Sequence, residues 1–189
     1  MRRLVGLYVL LVGLTITPGL SHALPTVTAG SATVHVGDVF TIPISIANTT
    51  DLFAWQFDLS FKPSIVHALA VTEGPFMSSF GTTLFTPGVI DNGSGLISLV
   101  ADFFVDLPPD PSGSGVLANI QFQALAVGVS PLTLSNVFLN LLDVSSETFD
   151  VVNGRVTVVP EPATLTLLGL GLVAVLGVHY HRRRHARRS

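Results

Sequence analysis

Large apolar residues alternate with smaller or polar ones along much of the chain. In the clearest segment they occupy every second position: Phe53, Trp55, Phe57, Leu59 and Phe61. A β-strand places successive side chains on opposite faces, whereas a helix would distribute these rings around its circumference. The segment is therefore predicted to be a strand with one buried face, and Trp55 is predicted to belong to the core.

The same period of two recurs in other segments, namely residues 40–46, 116–124, 132–141 and 156–158. Groups of Gly, Asn, Asp and Pro separate these segments. Residues 91–95 (Asp-Asn-Gly-Ser-Gly) are typical of a hairpin turn and predict pairing of residues 82–90 with 96–104. The pattern predicts an all-β fold for residues 24–159, an antiparallel jelly-roll β-sandwich of about nine strands.

Composition and charge remove several functional classes. The chain has 189 residues, of which 48% are hydrophobic and 11% charged, so it is not intrinsically disordered. The absence of cysteine excludes a thiol nucleophile and a thiolate metal site. Residues 24–159 carry two basic against eleven acidic residues, and an acidic body repels phosphate backbones. No nucleic-acid partner is expected.

The first 23 residues have the composition of a secretory signal peptide. Arg2 and Arg3 precede a 13-residue apolar stretch, and a small-x-small sequence ends at Ala23. The stretch is shorter than the roughly 20 residues of a membrane span. Cleavage is predicted between Ala23 and Leu24, with an uncleaved anchor as the alternative.

Near the other end, residues 163–180 are uncharged and mostly apolar. Eighteen helical residues span roughly 27 Å, enough for a bilayer core. Five arginines follow and predict a cytoplasmic tail that stops transfer, which leaves residues 24–159 outside the inner membrane. These arginines are Arg182, Arg183, Arg184, Arg187 and Arg188.

Two prolines around a glutamate, Pro160-Glu161-Pro162, precede the apolar run and keep the backbone extended. The motif, the span and the arginine-rich tail in this order resemble the PEP-CTERM sorting signal of Gram-negative bacteria, over residues 160–189. The resemblance implies processing by an exosortase-type membrane protease. It also implies a single-pass inner-membrane precursor that is delivered to the cell surface or extracellular matrix, often in species that make exopolysaccharide.

A second resemblance covers most of residues 26–159. Residues 36–42, 52–63 and 113–125 resemble a cohesin-type domain, although Lys62 stands where the family usually has Asp before proline. Cohesins are nine-stranded jelly-roll sandwiches that bind dockerin modules in cellulose-degrading complexes, and related folds bind carbohydrate. The matching positions are mainly core and turn residues, so they support the fold more than a ligand.

Residue types with catalytic chemistry form no recognisable constellation. His35 and His67 lack metal-ligand spacing, and no Gly-x-Ser-x-Gly elbow occurs. Asp102, Asp106 and Asp110 recur at every fourth position and are the candidate ligands for a structural calcium ion, without a complete Asp-x-Asp-x-Asp-Gly loop. No catalytic residue and no required cofactor are predicted.

The sequence thus predicts a non-enzymatic exported protein that binds an envelope protein or exopolysaccharide. Two alternatives remain open. One is a carbohydrate-binding module linked to polysaccharide catabolism, and the other is an accessory domain of a secreted hydrolase.

Overall fold

The structure is a computed structural model that describes residues 23–107, 110–142 and 148–161, together with Leu167 and Gly171. Within these residues the chain forms eleven strands and one single-turn helix, α1 (Pro75–Ser78), which follows the fifth strand. The strands are β1 (Thr26–Ala29), β2 (Ser31–His35), β3 (Val39–Thr49), β4 (Leu52–Ser60), β5 (Val66–Glu73), β6 (Val89–Asp91), β7 (Leu96–Phe103), β8 (Gly113–Ala124), β9 (Gly128–Leu141), β10 (Asp150–Val152) and β11 (Gly154–Val159).

The strands form two sheets that pack into a sandwich, so the predicted all-β sandwich is confirmed. The five-stranded sheet has the order β10-β1-β3-β8-β5, and the six-stranded sheet has the order β2-β11-β9-β4-β7-β6. The predicted hairpin is present, because β6 and β7 pair antiparallel on either side of residues 92–95.

The two ends of the domain explain why the strands outnumber the predicted nine. β1 and β10 pair in parallel in one sheet, and β2 and β11 pair in parallel in the other. The first and last segments of the sandwich therefore both switch sheets, which divides each of them into two strands. The crossing point is tight, since a Cβ at Gly154 would lie 2.0 Å from the carbonyl oxygen of Gly30.

The core lies between the sheets and consists of the inward-facing residues of both. Ile42, Ile44 and Ile46 of β3 are buried, as the alternation predicts. Trp55 is also buried, with its ring 5.4 Å from that of Phe57 in a stacked arrangement. The buried hydrophobic core residues all lie between Val27 and Val158, so residues 24–159 contain a complete core of their own.

Within the described residues, no helix has both the length and the apolar character needed to cross a membrane. The predicted span, residues 163–180, lies outside the described residues apart from Leu167 and Gly171. The predicted signal peptide lies outside them except for Ala23.

We expect Phe57→Ala to lower the free energy of unfolding by about 3–5 kcal/mol, because it leaves a cavity in the sandwich interior. Phe138→Ala is the matched control, since Phe138 lies on the neighbouring strand with an exposed ring and should change stability by about 0.5 kcal/mol or less. Urea unfolding of residues 24–159 measures both. Equal losses in the two variants would contradict the assignment of inward and outward faces.

Candidate protein-binding face

The outer faces of the two sheets differ in chemistry. The outer face of the five-stranded sheet is polar and uncharged at its centre, where Thr41, Thr72, Asn119 and Gln121 line a shallow recess of about 370 Å³. Hydroxyl and amide groups in this arrangement remain well solvated. Exposed apolar residues of its strands, such as Val39 and Leu69, do not line this recess.

The outer face of the six-stranded sheet carries large apolar side chains. Phe138 of β9 is 55% exposed, and Leu99 and Phe103 of β7 are exposed as well. Phe138 pairs in register with Gln56, the outward-facing neighbour of the buried Trp55, and Phe103 pairs with Ala54. We call this surface the outer apolar patch; it comprises Ala54, Gln56, Asp58, Leu99, Ala101, Phe103 and Phe138.

Exposed aromatic and aliphatic side chains of this kind are common in protein interfaces. Interfaces are enriched in aromatic residues and depleted of charge at their centre. The patch carries a single charged side chain, that of Asp58. At one end of the same sheet lies a second recess of about 360 Å³, lined in part by Ser60, Lys62 and Thr133. The arrangement therefore suits a largely apolar protein surface.

The patch residues do not appear among the candidates that the sequence offers, although the sequence contains a signal for them. In β9 the inward-facing apolar positions change phase, from the buried Leu132 and Leu134 to the partly buried Val137 and Leu139. A phase change inside one strand marks a β-bulge. The structure places that bulge at Asn136, beside the exposed Phe138.

The three candidate calcium ligands occupy different environments. The Asp102 side chain faces the interior with 1% exposure, whereas Asp106 is exposed in the loop after β7. The Asp110 carboxylate accepts a hydrogen bond from the Ser112 hydroxyl at 2.6 Å. Among the described residues, no group of three or more His, Cys, Asp or Glu side chains is arranged to hold a metal ion. Calcium binding stays a prediction.

Asp102 is an unusual member of the core. Neither of its carboxylate oxygens has a hydrogen-bond partner among the described residues, and the same holds for Nε1 of Trp55, its register neighbour. Burial, together with the nearby negative charge of Glu73, raises the pKa of Asp102 to about 7. Asp102 therefore retains its proton at a pH where an exposed aspartate has lost it.

The raised pKa predicts how stability depends on pH. In the unfolded chain Asp102 has its ordinary pKa of 3.8. Between about pH 4 and pH 7 the folded protein therefore binds a proton on Asp102 that the unfolded chain has lost. The free energy of unfolding falls as the pH rises through this range. We expect Asp102→Asn to flatten this fall, as measured by urea unfolding at pH 4, 5, 6, 7 and 8. Asp106→Asn, on an exposed loop, serves as the control and should leave the slope unchanged. A wild-type slope retained in Asp102→Asn would contradict the assignment.

The two histidines of the described region lie on different sheets. His35 ends β2, with Nδ1 3.6 Å from a carboxylate oxygen of Asp38 on an exposed turn. His67 lies in β5 on the five-stranded sheet. Neither belongs to the outer apolar patch.

The residues predicted to be processed lie next to the ends of the sandwich. Ala23 and Leu24 are exposed just before β1, and Pro160 and Glu161 are exposed just after β11. The backbone N–H of Val36 donates to the carbonyl of Val159, so the sheet ends one residue before the motif. Pro162 and the arginines Arg182, Arg183, Arg184, Arg187 and Arg188 lie outside the described residues.

Cohesins are among the solved structures that share this fold. A non-cellulosomal cohesin from Archaeoglobus fulgidus superposes with a TM-score of 0.60 at 21% identity, over 76% of this chain and 97% of that one. The third cohesin of ScaC from Acetivibrio cellulolyticus, solved with the ScaB dockerin, gives a TM-score of 0.59 at 21% identity, over 72% and 99%. At these identities the likeness establishes the fold alone.

Sequence comparison places both parts of the chain in families. Cellulose-binding protein A of Clostridium cellulovorans is 28% identical over 155 residues; the match covers 75% of this chain but only 8% of that much longer protein. Residues 158–184 match the PEP-CTERM protein-sorting motif. Residues 25–158 match the cohesin domain family, and the chain belongs to that family.

Proposed function

We propose that this protein is a non-enzymatic exported binding module whose outer apolar patch binds a dockerin-type protein. The observation that carries the proposal is the exposure of Phe138, Leu99 and Phe103 on one face of the six-stranded sheet. Exposed apolar surface of this kind is costly unless a partner covers it. Cohesins of this fold have been solved with dockerins, as in the ScaC–ScaB complex of Acetivibrio cellulolyticus.

Exopolysaccharide is the weaker ligand class for this surface. Trp55, the single tryptophan, is buried and offers no platform for a sugar ring. The binding test below also covers polysaccharide. A positive result there would favour a carbohydrate-binding module or an accessory domain of a secreted hydrolase.

We expect Phe138→Asp to weaken binding of a dockerin roughly 10- to 100-fold, because a charge replaces an exposed aromatic ring of the patch. The assay is isothermal titration of residues 24–159 with each dockerin module encoded in the genome that carries this gene. Leu69→Asp is the matched control, since Leu69 is 45% exposed on the other sheet.

The control separates a local effect from a general one. If Leu69→Asp weakens dockerin binding as much as Phe138→Asp, the outer apolar patch is not the site. If no dockerin binds the wild-type protein and the host's purified exopolysaccharide does bind it, the protein is a polysaccharide-binding module and the dockerin proposal is wrong.

For sorting, we propose that residues 1–23 are a signal peptide cleaved between Ala23 and Leu24, and that residues 160–189 are removed by an exosortase-type protease. In this proposal residues 163–180 hold the precursor in the inner membrane as a single span, and the five arginines fix its cytoplasmic end. Pro160 and Glu161 support the proposal because they are exposed and lie outside the strands, and a protease requires an accessible backbone. The released module then reaches the cell surface or the extracellular matrix.

We expect the double variant Pro160→Ala, Glu161→Ala to accumulate as unprocessed precursor in the inner membrane. On immunoblots of cell fractions it should migrate at a higher mass than the wild-type protein, because it keeps its C-terminal segment. Pro131→Ala, an exposed proline within β9, is the control and should be processed normally. Normal surface delivery of the double variant with its tail removed would contradict the sorting proposal.

A further inference from the structure

One carboxylate within the outer apolar patch connects three strands. The Asp58 side chain of β4 points outward, and its two oxygens accept hydrogen bonds from different neighbours. Oδ1 accepts from the backbone N–H of Leu99 at 2.7 Å, and Oδ2 accepts from Nδ2 of Asn136 at 2.6 Å. Leu99 lies on β7 and Asn136 on β9, the strands on either side of β4.

Both bonded residues lie at β-bulges with left-handed backbone. Leu99 has φ +58° and Asn136 has φ +48°. The register of β4 with β7 shifts between Phe57 and Leu59, and its register with β9 shifts between Gln56 and Asp58. Asp58 thus lies between two bulges that flank the same point of the central strand.

A leucine at such a position needs an explanation. The left-handed region is unfavourable for a residue with a Cβ, and glycine is the residue that bulges of this kind normally use. The Leu99 side chain is 52% exposed, so core packing does not account for its presence. Strained residues of this kind cluster at binding sites, where the surrounding structure holds them in place.

We propose that Asp58 is a positioning residue that holds both bulges and thereby presents Leu99 as an anchor for the protein partner. The partner class rests on the proposed function above, whereas the backbone role of Asp58 does not. The anchor would enter an apolar pocket of the partner, and Phe138 and Phe103, exposed on the same sheet, would contact the partner as well. Asn136 fixes the other side of the same carboxylate.

The first measurement uses residues 24–159 without any partner, because this region contains its own core. In Asp58→Ala, we expect the three-bond HN–Hα couplings and amide shifts of Leu99 and Asn136 to leave the values of positive φ. Asp58→Ala combined with Leu99→Gly should keep positive φ at position 99, because glycine adopts it without a hydrogen bond. Ser60→Ala, on the same outward face of β4, should change neither position.

The second measurement is affinity for a dockerin module that binds the wild-type protein. We expect both Asp58→Ala and Leu99→Gly to weaken binding roughly 10-fold or more, the first through the backbone and the second through the missing side chain. Ser60→Ala should bind as wild type does.

Each result decides one part of the proposal. Positive φ retained at both positions in Asp58→Ala overturns the positioning role, and wild-type affinity of Leu99→Gly overturns the anchor role. If no dockerin binds wild-type protein, the proposed function and the anchor role fail together, while the couplings still decide whether Asp58 holds the bulges.

Discussion

The structure depends on the burial of one face of each sheet against the other. This packing uses the inward positions of both sheets and leaves the outer faces, edges and loops for any other task. Phe57 and Phe138 illustrate the division. Both are phenylalanines, but the ring of Phe57 on β4 is buried in the interior and the ring of Phe138 on β9 faces solvent. Binding surfaces of this protein are therefore found by asking which large apolar residues the sandwich does not bury.

Local pattern was sufficient for the elements whose partners are close in sequence. The alternation around Trp55 and the turn after Asp91 predicted β4 and the β6–β7 hairpin, since both depend on residues within a short window. The parallel pairing of β1 with β10 and of β2 with β11 joins opposite ends of the domain. No periodicity in either segment encodes the switch of sheets at Gly30 and Gly154, so the number of strands was underestimated.

The binding face was harder to predict for a related reason. An exposed position in a strand is recognised only when the phase of each strand and the bulges within it are known. Asp58 accepts hydrogen bonds from Leu99 and Asn136, which are 41 and 78 positions further along the sequence. The change of phase between Leu134 and Val137 indicates a bulge in β9, but it does not indicate that the carboxylate of Asp58 on β4 accepts a hydrogen bond at that bulge.

Two aspartates show why the count of acidic residues says little about function. Asp58 and Asp102 both lie on strands of the six-stranded sheet, one facing outward and the other inward. The outward carboxylate accepts two hydrogen bonds, whereas the inward one is desolvated beside Glu73 and retains its proton to a higher pH. The charge of an aspartate in this acidic module therefore depends on what its strand position supplies, because burial near a second carboxylate favours the neutral form.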